Sequence, residues 1–452
     1  MRPLVGLIVG VLLFSSVAAV GAVSGTGTYD GETGSSAIDP QGNLNPCIGT
    51  MGEQPDQPTM FTIQGARGSD KTVAMLAGVQ PDGEVTGIYN GTAKDRWWVY
   101  DIDPLGNGNL LLSSTEPGIS IVEELDPETG ESISARRFED IHDSHDADLI
   151  NGDELLMNDM SKEGEDRVVV YNLTQDEIVW EYRFANHPEL FPSDGGGNYS
   201  EDWTHNNDVE QIDDGVFMVS VRNFDQVIAI NRSTKELEWT LGEDNEYDIL
   251  NEQHNPDYIE SENGTATLLV ADSLNDRVVE YARTDGGWEQ TWVARGGGLD
   301  EPRDADRLPN GNTLIADRRG DRIVEITPES EVVWEFYAPW QPYDVERMGT
   351  GDESTGPTMR DVGTTGTYEV NGSADFATTD VEACYDYLTS VTSQRLVAGQ
   401  AATTDTNQQT AGNTTEIAAL GATDDDGGHS VVFILAAVVG LVVILGFVWV
   451  RR

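Results

Sequence analysis

Positive charge is what this sequence has least of. Its 452 residues hold 26 Lys+Arg against 80 Asp+Glu, only four of the basic residues are lysines, and the net charge is −54. Such a balance argues against nucleic acid and anionic lipid as partners, because both are bound by neutralising phosphate charge. Cysteine is nearly absent as well: Cys47 and Cys384 stand alone, one at each flank of the chain's body. Outside the cell they can form a disulfide clasping both ends; two unpaired thiols are the alternative. No P-loop or Rossmann glycine pattern is present, so no nucleotide donor is indicated and no cofactor is expected. The six histidines show no H-x-H or H-E-x-x-H spacing, although zinc ligands drawn from separate units would not need one.

What is abundant is dispersed acid. The carboxylates are spread through segments that also carry ten Trp and β-type alternation, which suits a folded surface that stays hydrated at high salt, where repulsion is screened within a few ångströms. The composition reads as that of a halophile. Both ends are apolar. Residues 1–25 contain the uncharged run Leu4–Val23 after Arg2, a signal peptide or anchor without a clear cleavage site. Ser430–Val450 is long enough to span a bilayer and is followed by Arg451-Arg452, which places the body outside the cell and makes the membrane a partner through this C-terminal helix. Seven N-x-S/T sequons, from Asn90 to Asn413, are compatible with that side.

Between Pro46 and Met348 the sequence repeats. HDADLINGDELLMND (145–159), HNNDVEQIDDGVFMVS (205–220), HNPDYIESENGTATLLVAD (254–272) and RDADRLPNGNTLIAD (303–317) share one frame, which YDIDPLGNGNLLLSS (100–114) also fits. Each unit gives a residue three positions before an Asp, a short strand, a Gly-containing turn and an apolar strand. A third strand follows, and often a fourth with tryptophan. Repeated units of four short strands predict an all-β propeller of six blades, with Thr59–Tyr89 as a weaker sixth unit. Seven blades result if residues 340–400 add strands. Residues 349–397 read as an extension with a short helix near Cys384, and residues 398–429 as a flexible stalk.

The frame places His145, His205, His254 and Arg303 in one slot, with Tyr100 in the same position of its unit. If each unit's first strand lines the central channel, these residues converge at one mouth. The repeated Asp (Asp103, Asp148, Asp208, Asp257, Asp306) reads as structural, accepting backbone or histidine N–H groups, and the tryptophans as packing between blades. A turn at Asp213-Asp214 predicts that Ile212 faces Gly215 and that Arg222 lies opposite His205. Three imidazoles and a guanidinium fit group transfer, with histidine as nucleophile or proton donor and arginine clamping oxygens. A fixed positive charge from Arg222 disfavours a metal there, so no metal is expected. His142, His187 and His429 take no role.

The stretch DWTHNNDVEQIDDGVFMVSVRNFDQVIAINRSTKELEWTLG, with EQHNPDYI and LLVADSLNDRVVEYA after it, resembles the arylsulfate sulfotransferase family over roughly residues 96–340. The resemblance implies an extracytoplasmic six-bladed propeller that moves sulfuryl groups between phenols. It implies that His254 becomes transiently sulfated, that His205 and Arg222 contact the sulfuryl oxygens, and that His145 is the remaining active-site histidine. Arg303, Tyr100 and Arg318 are the candidate substrate-binding residues for an aryl sulfate and a phenolic acceptor. A non-catalytic cell-surface binding propeller and a zinc-dependent hydrolase are the competing readings.

Overall fold

The structure is a computed structural model describing residues 45–52, 54–67, 70–373 and 382–391. The N-terminal apolar run, the stalk and the Ser430–Val450 span lie outside those residues. Among the described residues no helix is long and apolar enough to cross a membrane.

Six antiparallel sheets form six blades. Five begin with their innermost strand: Trp98–Pro104, Ala147–Ile150, Asn206–Asp213, His254–Glu260 and Pro302–Arg307. The sixth is assembled from both ends of the domain. Its inner strand is Pro342–Arg347, which pairs with Thr59–Ile63, and Met75–Val79 and Val85–Asn90 complete it. The described residues between 340 and 400 therefore do not build a seventh blade. One strand of that region closes the sixth, and Gly366–Glu369 adds a parallel edge to the blade of His254. The expectation that the first strand of every unit lines the channel fails for Thr59–Ile63, which stands second from the axis.

Burial explains the strand types. The second and third strands of a blade are covered on both faces by neighbouring blades, so they are continuous apolar runs, as in Leu155–Met157 and Val168–Val170. Outer strands such as Glu177–Arg183 alternate between exposed and covered positions. Their tryptophans bridge blades: Trp180 donates its indole N–H to the Arg232 carbonyl at 2.8 Å and packs on Phe217, and Trp239 meets Trp288 at 5.2 Å. A repeated ion pair pins the end of the second strand to the start of the third in three blades. The pairs are Asp159–Arg167 (2.6 Å), Asp272–Arg277 (2.6 Å) and Asp317–Arg322 (2.7 Å).

The hairpin of His205 reaches its expected end by an unexpected route. Asp213 pairs with Val216, so the turn is Asp214-Gly215, one residue later than the sequence suggests, with Gly215 at φ +73°. Two bulges between Asn206 and Asp213 then undo the shift. The Arg222 N–H donates to the His205 carbonyl at 3.2 Å, so the two residues do face each other.

Ile48–Met51 adds an outer strand to the blade of Arg303. Residues 382–391 are helical, and their Cys384, Tyr385 and Leu388 pack into a core shared with Cys47, Phe336 and Trp340. Cys47 and Cys384 form a disulfide with Cα atoms 4.8 Å apart.

Candidate active site

Because consecutive inner strands stand side by side around the axis, the residues that open them meet. Tyr100 stacks on His145 with centroids 3.8 Å apart, and the His145 ring lies 5.1 Å from that of His205. Tyr343, opening the sixth inner strand, stands 5.1 Å from Tyr100, 5.7 Å from His145 and 6.0 Å from His254, all edge-on. Its hydroxyl is 3.2 Å from His145 Nδ1. Arg303 completes the ring, its Nη1 contacting the Nε2 of His254. All six residues are buried.

Each imidazole is held by a different partner. His205 Nδ1 is 2.8 Å from the Asp202 carboxylate. His205 itself has φ +43°, a conformation that costs a non-glycine residue on the order of 1–3 kcal/mol and persists only where the surroundings impose it. Here the adjoining bulge and Asp202 do so. His254 Nδ1 lies 3.1 Å from the Glu252 carbonyl and 2.9 Å from Ser273 Oγ. The Glu252 carbonyl can only accept, and Ser273 Oγ gives its own proton to the Pro302 carbonyl at 2.7 Å, so both favour the proton on Nδ1. Arg303 Nη1, a donor, lies 3.0 Å from the same nitrogen and opposes them.

The arginines divide into two groups. Arg222 is fixed by Glu252, whose Oε2 accepts from Nε at 3.1 Å and from Nη2 at 2.6 Å. Arg303 and Arg318 share the carboxylate of buried Glu301, at 2.8 Å and 2.9 Å. Arg318 also donates to Gln64 Oε1 at 3.2 Å and Gln341 Oε1 at 3.0 Å, both on the closing blade. The structure thus brings His145, His205, His254, Tyr100 and Arg303 into one cluster. It joins Arg222 to His254 through residue 252 and Arg318 to Arg303 through Glu301.

Sequence reasoning missed Tyr343, Glu301, Ser273 and Asp202. Tyr343 had a signal, since YDVE (343–346) copies the YDID frame at 100–103. Ser273 and Arg318 each follow the second strand of their blade, as Arg222 does. Glu301 has no local signature.

Below the mouth the chemistry inverts. Of the repeated acids, Asp148 is a blade tie, its Oδ2 accepting the Gln211 N–H at 3.0 Å, and acids outside that slot tie blades too: Asp146 Oδ2 accepts the Val209 N–H at 2.7 Å. Asp344 accepts from Ile102 at 2.9 Å and Asp304 from Val345 at 3.1 Å. Burial first, and neighbouring aspartates second, push the carboxyls of Asp101, Asp103 and Asp146 well above the ordinary range. Among the described residues, the groups close enough to share a metal ion consist of aspartates in and around this channel, and no histidine belongs to one.

Fold and mouth define the class: a six-bladed β-propeller with an axial site built of imidazole, guanidinium and phenol. The family model for arylsulfotransferase (ASST) matches residues 59–255. That span takes in His145, His205, Arg222 and His254 and ends before Arg303. No curated protein matches the chain. Among solved structures it is similar to a protein of unknown function from Bacteroides caccae (13% identity, TM-score 0.46, covering 64% of this chain and 98% of that one). Another is a virginiamycin B lyase from Staphylococcus aureus (10%, 0.39, 68% and 90%). A third is a functionally unknown protein from Desulfotomaculum acetoxidans (12%, 0.41, 65% and 99%). Likeness at this level carries no argument about activity.

Proposed function

We propose that this protein transfers the sulfuryl group of an aryl sulfate to a phenolic acceptor through a sulfo-histidine at His254. The observation that carries the reading is the setting of His254: Nδ1 is turned to the Glu252 carbonyl and Ser273 Oγ, and Nε2 faces the shared mouth. A neutral imidazole that turns this lone pair to sulfur once Arg303 moves off it is a nucleophile at neutral pH.

In the first half-reaction Nε2 attacks sulfur and the bond from sulfur to the aryl oxygen breaks. A phenolate, with a conjugate pKa near 10, leaves slowly unless protonated, and His145 beside the Tyr343 hydroxyl is the donor for it. Arg303 moves off Nε2 as the sulfur approaches. Arg303, Arg222 and His205 then stabilise charge on the three sulfuryl oxygens. In the second half-reaction an acceptor phenol gives its proton to His145, its oxygen attacks sulfur, and the nitrogen–sulfur bond breaks. The Tyr100 ring, stacked on His145, supplies an aromatic face for donor and acceptor alike.

Brief incubation with a chromogenic aryl sulfate at high salt, followed by mass spectrometry, is expected to find one added sulfuryl on the His254 peptide. His254→Asn is expected to lose that label and all turnover, because an amide cannot carry the group. Turnover surviving in His254→Asn would overturn the covalent scheme. Absence of both label and turnover across a broad donor panel would point instead to a non-catalytic binding propeller.

A further inference from the structure

Each of the six inner strands passes from the mouth into a channel lined with acid. Asp101 and Asp103 follow Tyr100, Asp146 and Asp148 follow His145, and the remaining inner strands contribute carboxylates of their own. The cations at the far end make their ion pairs with other carboxylates, although the Arg307 charge also acts on Asp257. Arg307 makes its ion pair with Glu280 at 3.4 Å, and Arg347 pairs with Glu325 at 2.8 Å.

Two trios of carboxylates share Asp103. In Asp101, Asp103 and Asp146, one oxygen from each residue lies within 4.8 Å of the others, and the same holds for Asp103, Asp148 and Asp352. The orphaned oxygens are a separate observation. Asp103 is 6% exposed and its Oδ2 has no hydrogen-bond partner; Asp208 Oδ2 and Glu346 Oε2, each on a residue 5% exposed, are in the same condition. A buried carboxylate oxygen without a donor is costly, so an arrangement that keeps several of them on one channel implies something that coordinates them. The Asp146 carboxyl, tied to the Val209 N–H, also meets that of Asp101.

We infer that the channel binds a hard divalent cation of the calcium class between the first two complete blades, at the trio Asp101, Asp103 and Asp146, with the trio that Asp103 forms with Asp148 and Asp352 adjoining it. The donor set is all oxygen, which selects a hard ion over zinc or copper. Oxygens on opposite sides of a calcium ion stand about 4.6–5.2 Å apart, twice the usual calcium–oxygen distance, and the trios fit within that span. The ion cross-links blades whose opening residues, Tyr100 and His145, form the stacked pair of the mouth. It lies beneath the reacting atoms and takes no part in sulfuryl transfer, so its test is independent of that reading.

The experiment uses the purified full-length chain in concentrated KCl, gel-filtered without added divalent ions. Elemental analysis is expected to find at least one calcium per chain. Treatment with EGTA should lower the thermal midpoint by several degrees, and calcium chloride, but not further KCl, should restore it. Asp103→Asn should abolish retention and the calcium response, whereas Asp214→Asn in the exposed turn should leave both intact. Absence of retained calcium together with a midpoint insensitive to EGTA and calcium chloride would overturn the inference. So would restoration by KCl alone. If Asp103→Asn does not fold, the wild-type measurements still decide.

Discussion

The mouth and the channel are built by the same six strands, yet they carry opposite chemistry. At the mouth, imidazoles and guanidiniums are held by identified partners, as His205 is by Asp202 and Arg222 by Glu252. One to three residues further along each strand, carboxylates face one another, and only some of their oxygens meet backbone N–H groups. Strand alternation alone does not explain this. A propeller repeats one position around an axis, so any residue type that a repeat fixes there becomes a ring. The lesson is that the donor ring and the acid ring are one device read at two depths.

The largest expected effect breaks the acid end. Arg307→Met would leave Glu280 buried with only Thr291 and the Met359 N–H as donors. Removing one partner of such a pair costs roughly 3–5 kcal/mol, to be measured by denaturant unfolding, while sulfated-His254 yield at low temperature stays unchanged. The mouth is tested by Arg222→Leu, expected to lower kcat by roughly 10²–10³, about 2.7–4 kcal/mol, in chromogenic aryl sulfate assays. Lysine at that position should recover only part, since it lacks the planar fork that grips Glu252 and a sulfuryl oxygen together. Equal kinetics for the leucine variant would remove Arg222 from the site.

A smaller effect concerns neither ring. Reducing the Cys47–Cys384 bridge should lower stability by about 2–4 kcal/mol, seen as a drop in thermal midpoint with dithiothreitol, without changing initial rates below the transition. The smallest is a titration at the rim. Lys71 donates to the Gln64 and Gly65 carbonyls and lies over the Trp98 ring at 4.0 Å, and burial pushes its pKa down to about 7. Folding then releases a proton between about pH 7 and the free-lysine value near 10.4, so this residue makes stability rise with pH across that window. With four lysines in the chain, NMR of the methylated amines should resolve one resonance titrating near 7; four titrating near 10 would contradict it.

Much of the mouth was legible because the repeat frame aligned His145, His205, His254, Arg303 and Tyr100 without any need for long-range pairing. The frame also carried the repeated aspartates; the expected backbone bond is made by Asp148, from the Gln211 N–H, whereas Asp103 and Asp208 each keep an oxygen without a donor. What escaped was whatever depends on closure or on contact between units. Tyr343 reaches the axis only because Pro342–Arg347 pairs with Thr59–Ile63. Glu301 and Glu252 matter through guanidiniums at other positions in the chain, and no periodicity encodes those contacts. The turn at Asp214-Gly215 was misplaced by one residue. The two bulges that corrected it answer to the pocket's need for His205 opposite Arg222, which hairpin rules do not contain.

The shared sixth blade also sets an order of events during synthesis. Thr59–Ile63 emerges early, but its inward partner is not made until Arg347, so three strands must wait with one edge open while five blades form. Contacts between such distant segments form slowly. Cys384 follows Cys47 by 337 positions, so the bridge can seal only a ring whose last strand has already been made. Interrupting translation before residue 342 should therefore yield a protease-sensitive chain, and the exposed edge of Thr59–Ile63 is where such a chain would pair with another copy.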